Sequence, residues 1–391
     1  MASDLNELFY RDVYKREFVA HVVSSTETDK GFEVVLDDTA FYPEGGGQPA
    51  DHGMIADAHV TDVRRTGGVV VHFTDKALEV GAEVKCVLDW ERRYDNMQNH
   101  TGEHVISGLI HAKYGFDNVG FHMDDDVITV DFDGIIPPEE LADIEKAVNT
   151  AIQANIPVNI QFPSAEELKA MSYRSKKELT GKVRIVDIPG CDRCACCGTH
   201  VASTGEVGIL KVLSSEKHRG GTRVFFVCGG RAMRDYAYKN GAVRRVSELL
   251  SAKPTEVAEA VQKLLDTAAE KDREIAALKK ELLSVKAQSI PADARIAVHF
   301  EAGLTPQDLR TFATAIVEAG RAPAAAVLSE RGPNEFSYVL HWPNDALRDV
   351  SKSLNQKLNG RGGGSGGFVQ GTYKTSAEVI QETLAEVFAA L

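Results

Sequence analysis

Cysteine is scarce in this chain. Six residues in 391 cannot form the dense disulfide scaffold on which small secreted folds rely. Long apolar runs are missing as well: nowhere do the ~20 consecutive apolar residues of a membrane-crossing helix occur. Met1 to Tyr10 carries Asp4 and Glu7 in place of a basic stretch ahead of an apolar one. These absences predict a soluble, cytoplasmic protein with no membrane contact. Basic charge is in deficit, with 44 Lys and Arg against 57 Asp and Glu. Wholesale electrostatic attraction to nucleic acid is therefore excluded, and any such binding must use local patches.

Core material, by contrast, is plentiful. Hydrophobic residues make up 43% of the chain, whose length is more than twice the ~150 residues of a typical domain, so two to four domains are expected. Four of the six cysteines, Cys191, Cys194, Cys196 and Cys197, crowd into seven positions, which points to metal or redox chemistry.

Hydrophobic periodicity divides the chain. Over residues 1–90, short β-rich runs such as Phe32 to Leu36 and Val69 to Phe73 are broken by Gly and Asp turns, predicting a small antiparallel β-barrel. Residues 91–250 mix periods. A helix is expected over Trp90 to Tyr114, weakened by Gly102 and Gly108; a strand over Val127 to Phe132; helices over Pro138 to Ala154 and Ala165 to Met171; strands over Val183 to Ile188 and Gly208 to Val212. This alternation predicts an α+β domain. Within 251–290, Val257, Val261, Leu264, Ala268, Lys271, Ile275, Leu278, Leu282 and Val285 form a heptad seam. Such a seam supports a helical hairpin or a dimerising coiled coil. Residues 291–391 alternate strand-like and helix-like runs, predicting a compact α/β domain with a glycine-rich binding loop, Asn359 to Phe368, before its last helix.

Two clusters carry chemistry. On a helix, His100 and His104 share one face with ~5 to 6 Å between Cβ atoms, close enough to address one ion. His111 lies ~10 Å further along and cannot join them. Cys196 and His200 are also four apart. Three nitrogens and one thiolate suit a soft, tetrahedral, redox-inactive ion, which makes zinc the leading choice. The spacing equally allows a closed structural knuckle of Cys191, Cys194, Cys197 and His200. Separately, Gly45-Gly46-Gly47 permit backbone angles and close approach that other residues forbid, although a plain tight turn would use them too.

Thr39-Ala40-Phe41-Tyr42-Pro43-Glu44-Gly45-Gly46-Gly47-Gln48, then Asp51-His52-Gly53, the His100/His104 pair, and Cys196-Cys197-Gly198-Thr199-His200 ahead of Thr204-Gly205-Glu206 follow one another in order. This series resembles the editing domain of alanyl-tRNA synthetase, with no aminoacylation portion before it. The chain is thus similar to the free-standing alanyl-tRNA editing proteins of the AlaX type, in their long form, and the resemblance covers nearly all of it. It implies one zinc per chain on His100, His104, Cys196 and His200. It also implies Thr39 facing the seryl hydroxyl, Gly45 to Gly47 and Gln48 at the reacting end of the substrate, and a C-terminal domain gripping the outer corner of the tRNA. The expected activity is hydrolysis of tRNA(Ala) wrongly charged with serine or glycine, because a pocket built for alanine discriminates only modestly against either. A homodimer through residues 257–285 or the C-terminal domain is the expected assembly.

Ester hydrolysis needs water to attack the carbonyl carbon, and zinc can activate water, polarise the carbonyl or orient the substrate. No general base is evident: Glu103 does not directly follow the first histidine as in HExxH proteases. An RNA substrate calls for local basic surface. Lys211 to Arg245 holds nine Lys or Arg against Glu216 and Asp235, and Lys169 to Arg184 holds six against Glu178. The rival reading is a non-catalytic RNA-binding protein with a structural zinc knuckle and a coiled-coil dimeriser. Editing of another synthetase's error is a third, since threonyl-tRNA synthetase has a related domain, though nothing like this C-terminal half.

Overall fold

The computed structural model describes residues 6–175, 182–292 and 294–391. It is α+β throughout and divides into two compact units, Met1–Arg244 and Arg245–Leu391. Among the described residues no helix is long and apolar enough to cross a membrane.

The first unit opens with a short helix, α1 (Leu8–Arg11), and six strands: β1 (Glu17–Thr28), β2 (Gly31–Leu36), β3 (Gly53–Ile55), β4 (Ala58–Thr66), β5 (Val69–Thr74) and β6 (Glu83–Leu88). They pair antiparallel in the order β1-β2-β5-β4-β3-β6 and close into a barrel. Alternation explains the closure. Along β1, Phe18, Ala20 and Val22 point inward while Glu17, Val19 and His21 face out, so each strand contributes one apolar face to a common interior. The connection from β2 to β3 carries the glycine motif, and its first half is core: Ala40, Phe41 and Tyr42 are buried beside Phe9 of α1.

Next comes α2 (Trp90–Tyr114), capped by Asp89, which accepts a hydrogen bond from Arg92 N, and ended by Gly115 in the left-handed region. Much of its buried surface is polar, including Asn96, Asn99, His100, Thr101, Glu103, His104 and Ser107. Buried polar groups must find partners, so a helix of this kind is built around a site as much as around a core. Its two interior glycines, unfavourable by propensity, are required by packing. A Cβ on Gly102 would lie 2.3 Å from Cys228 Sγ, and one on Gly108 2.2 Å from the carbonyl oxygen of Cys191.

The unit is completed by β7 (Asn118–Met123), β8 (Ile128–Phe132), α3 (Leu141–Gln153), β9 (Asn159–Gln161), α4 (Ala165–Ala170), β10 (Ile185–Ile188), β11 (Asp192–Ala195), β12 (Leu210–His218), β13 (Gly221–Cys228) and most of α5 (Gly229–Leu250), whose residues from Arg245 on belong to the second unit. One sheet runs β12-β13-β8-β7, and a second runs β11-β10-β9. Their apolar faces share a core with α2 and α3.

In the second unit, α6 (Val257–Gln288) is one uninterrupted helix. The expected seam is not covered within the described residues: Leu264, Ile275, Leu278, Leu282 and Val285 are exposed. Leu283 and Ala287, which lie off that seam, pack against α7 (Pro306–Glu318) instead. The remaining elements are β14 (Ile296–Phe300), β15 (Ala324–Gly332), β16 (Glu335–His341), α8 (Leu347–Lys357), β17 (Arg361–Gly363), β18 (Phe368–Lys374) and α9 (Ala377–Ala389). The sheet order is β14-β15-β16-β18-β17, parallel only between β14 and β15. Part of the glycine-rich stretch is therefore an edge strand, β17. A Cβ on Gly362 would meet the Gln370 carbonyl oxygen at 2.4 Å, so glycine there serves a close approach of backbones as well as a loop.

Candidate metal centre

Four side chains from two distant segments converge inside the first unit. The buried face of α2 supplies His100 and His104, and the loop leaving β11 supplies Cys196 and His200. Their ligand atoms all lie within 4.8 Å of one another. The ring centroids of His100 and His200 are 4.6 Å apart and those of His104 and His200 4.8 Å, and Cys196 Sγ is 3.5 Å from His100 Nε2. All three imidazoles are at most 3% exposed.

Each ring is held from behind through Nδ1. His100 Nδ1 lies 2.9 Å from the amide oxygen of Gln48. That oxygen can only accept, so the proton sits on Nδ1 and the Nε2 lone pair points into the cluster. Gln48 is itself fixed: its oxygen accepts from Thr199 N at 3.0 Å, and its nitrogen donates to Thr199 Oγ1 at 2.8 Å. His104 Nδ1 is 2.8 Å from Asp192 Oδ2, and His200 Nδ1 is 3.2 Å from Thr101 Oγ1. His200 Nε2 is buried without a hydrogen-bond partner. A buried unpaired nitrogen is costly unless something absent from the chain satisfies it.

Electrostatics favour a cation there. Burial opposes ionisation of Cys196, yet the neighbouring His100 and His104 outweigh it and hold the thiol well below its usual range. Burial likewise opposes a charged His104, but Cys196 and Asp192 together raise it well above the usual imidazole value. His200 is pushed down to about 3, mainly by burial and further by His100. Cys196 is thus held toward the thiolate and His200 as the neutral ring, the forms in which they bind metal, whereas His104 favours a proton that a bound cation would have to displace.

The loop geometry is enforced locally. A Cβ on Gly198 would sit 2.0 Å from His100 Cε1, so only glycine lets the chain pass over the ring. Arg184, 5% exposed, donates through Nη1 to the carbonyls of Cys196 and Gly198 at 2.8 and 2.9 Å. Tyr10 O–H donates to the Cys197 carbonyl at 2.9 Å. Sequence reasoning missed Arg184, Tyr10, Thr101 and Asp192 in these roles. No spacing rule links them to the ligands, and of the four only Arg184 enters the sequence argument by its chemistry, as the end of a basic window.

The alternative knuckle does not assemble. Cys197 is exposed, Cys191 packs into the hydrophobic core, and Cys194 groups with His104 and Asp192. His111 stands apart and pairs with Asp117 at 3.0 Å. Thr39 is buried in the barrel, its hydroxyl 2.8 Å from His72 Nε2 and accepting from Phe41 N at 3.1 Å. In the glycine motif, a Cβ on Gly47 would collide with Phe121, whereas one on Gly46, whose φ is +63°, would meet nothing within 4 Å. Gly45 N and Gln48 O bond across the turn at 3.1 Å.

The basic windows are also rearranged. Lys211, Arg223 and Arg231 pair with Glu145, Asp131 and Asp95, carboxylates brought in from elsewhere in the chain, and Lys239 pairs with Asp235. Arg174 is turned inward onto Asp192. Lys176, Lys177 and Glu178 of the other window lie outside the described residues. The positive surface is therefore smaller than a count along the sequence implies.

Residues 7–92 match the family of class II (A) tRNA synthetases, and residues 183–224 match the threonyl and alanyl tRNA synthetase second additional domain. The chain is 34% identical over 275 residues to the alanyl-tRNA editing protein Aarsd1 of Mus musculus, covering 66% of this chain and 67% of that protein. The chain belongs to the alanyl-tRNA editing proteins. The Aarsd1 of Danio rerio is 36% identical over 275 residues, with 66% of each chain covered. The alanyl-tRNA editing protein AlaX-L of Pyrococcus horikoshii is 37% identical over 239 residues, with 59% of each covered. The matches thus span about two thirds of the length of the vertebrate relatives. In this editing protein the second matched segment, 183–224, contains Cys196 and His200, while His100 and His104 lie just beyond the first.

Proposed function

We propose that the chain hydrolyses the aminoacyl ester of tRNA(Ala) wrongly charged with serine, and with glycine, at a centre holding one zinc ion on His100, His104, Cys196 and His200. The observation that carries this reading is the convergence of those four donors, with His200 Nε2 buried and unpaired. Three imidazole nitrogens and a thiolate at this mutual spacing fit zinc better than harder ions, which prefer oxygen. Zinc, when bound, supplies Lewis acidity toward a carbonyl or a water molecule.

The chain's own residues do the rest. Gln48 holds the proton on His100 Nδ1 and keeps that ring in place. Arg184 and Gly198 fix the loop that carries Cys196. Open space beside Gly46 lets a ligand approach the backbone of the glycine motif. His72 is pushed down to about 4 by burial, and its Nδ1 donates to the Val34 carbonyl at 3.0 Å. Its Nε2 must then accept from the Thr39 hydroxyl. With one lone pair of that hydroxyl taken by Phe41 N, Thr39 keeps one acceptor site, and it meets a seryl hydroxyl as acceptor only.

The test is to incubate the purified protein with seryl-, glycyl- and alanyl-tRNA and follow loss of each ester. Loss from the first two with alanyl-tRNA spared supports the reading, and equal inertness toward all three overturns it. The variant Thr39→Val adds a sharper expectation. It orphans His72 Nε2 and Phe41 N, costing about 1 to 3 kcal/mol of stability. It also lowers the serine-to-glycine rate ratio by a few-fold to about tenfold, the worth of roughly 0.5 to 1.5 kcal/mol in one hydrogen bond. Thermal denaturation and parallel time courses check the two effects, and an unchanged rate ratio would leave Thr39 a structural residue.

A further inference from the structure

The three imidazoles of the centre are backed by chemically different groups. Behind His100 is a neutral amide, Gln48, and behind His200 a neutral hydroxyl, Thr101. Behind His104 is a carboxylate, Asp192, 2.8 Å from Nδ1. Asp192 is in turn gripped by Arg174, with Nε at 2.7 Å from Oδ1 and Nη2 at 2.8 Å from Oδ2. The side chain of Asp192 is 1% exposed and that of Arg174 11%. The backbone reinforces the pair: Arg174 N donates to the Arg193 carbonyl at 2.8 Å, and Ala195 N donates to the Arg174 carbonyl at 2.9 Å. Arg174 is thereby stitched along the edge of β11, the strand that delivers Asp192 and leads into the Cys196 loop.

We propose that Asp192, held by Arg174, is a positioning residue that makes His104 the anchoring ligand of the centre, so that metal retention is set from β11 as much as from α2. The inference rests on the metal reading above. A carboxylate accepting from the distal nitrogen raises the donor strength of the ligating nitrogen more than an amide or hydroxyl does, and it fixes ring orientation and tautomer. Arg174 keeps that carboxylate ionised and immobile in a site where an unpaired charge would be expensive. The same pairing argues against a second ion on His104, Asp192 and Cys194, whose ligand atoms also lie close together. Both carboxylate oxygens are already bonded to a fixed positive charge, which repels a second cation.

The experiment measures zinc affinity by competition with a chromophoric chelator, together with the rate of zinc transfer to excess chelator and the melting temperature of each protein. Asp192→Asn should lower affinity by about 10- to 100-fold, the usual loss when the group behind a ligating histidine is altered, and should speed transfer accordingly. Thr101→Val, which removes a neutral backing group, should have a smaller effect. Because Asp192→Asn also strands Arg174, the double variant Arg174→Met/Asp192→Asn is the decisive one. It removes both charges, so melting should recover toward the wild type while zinc affinity stays low. Recovery of affinity along with melting would show that Asp192 serves the fold alone and would overturn the proposal, as would wild-type affinity in Asp192→Asn. A wild-type protein that takes up no zinc would instead sink the metal reading on which this inference depends.

Discussion

The wild type is expected to retain one tightly bound zinc through dialysis, Cys196→Ala and His200→Ala each to lose it, and Cys191→Ser and Cys194→Ser to keep it. The magnitude follows from sharing. Four-ligand zinc sites bind with roughly 10 to 16 kcal/mol, so removing one ligand of four, on equal sharing, forfeits about 2.5 to 4 kcal/mol, or roughly two to three orders of magnitude in affinity. His200→Ala has a second consequence, since it deletes the buried unpaired nitrogen. The metal-free variant should therefore be no less stable than the metal-free wild type, apart from the cavity it leaves. Metal analysis after dialysis, with melting curves for metal-loaded and stripped protein, checks both statements. Zinc retained without Cys196 but lost without Cys191 or Cys194 would restore the knuckle.

Arg93→Met is expected to be the most damaging substitution outside the quartet. Arg93 and Asp51 are both fully buried, and Arg93 Nε reaches the two carboxylate oxygens at 3.0 and 2.9 Å. Its remaining nitrogens donate to the carbonyls of Val13, at 3.0 Å, and Ala40. Asp51 also accepts from Tyr42 N at 2.6 Å. One guanidinium thus ties α2, the helix bearing His100 and His104, to both ends of the glycine motif. Removing it strands a buried carboxylate, at a cost of about 3 to 5 kcal/mol. For a unit of this size that is a fall of roughly 6 to 20 °C in the melting temperature. The double variant Arg93→Met/Asp51→Asn should recover much of it, since no buried charge remains. A single-variant shift of only a degree or two, by calorimetry, would mean that water reaches Asp51 once the arginine is gone.

The centre was only half visible before folding. His100 and His104 could be paired from sequence because helical geometry fixes which residues share a face, and the 25-residue α2 supplies that geometry. Cys196 rather than Cys197 follows from the resemblance, whose motif sets the sulfur four positions before His200; spacing alone also allowed the knuckle, and the fold turns Cys196 toward the histidines while leaving Cys197 exposed. The groups behind the rings were not visible. Gln48 reaches His100 across 52 positions and Asp192 reaches His104 across 88, separations at which no periodicity operates. Charge windows misjudged the surface for the same reason. Arg223 is neutralised by Asp131, 92 positions away, and a count along the chain cannot register a carboxylate delivered by another strand.

Packing explains residues that propensity alone disfavours. Gly102 and Gly108 weakened the expectation of a helix over Trp90 to Tyr114 without cancelling it, and the helix forms over those residues, with both glycines required by the segments packed against them. The heptad seam left open a helical hairpin or a dimerising coiled coil; the structure has one continuous helix there, α6, whose buried contact runs off the seam, through Leu283 and Ala287 against α7. The sequence by itself determined the properties that depend on residue type and local spacing: an α+β chain, the histidine pair, the cysteine-rich loop, the glycine motif and membership of an editing family. Only the tertiary structure decided what holds each imidazole and which arginines are structural. Those outcomes depend on groups brought together across long stretches of chain, where burial makes a single hydrogen bond or charge decisive.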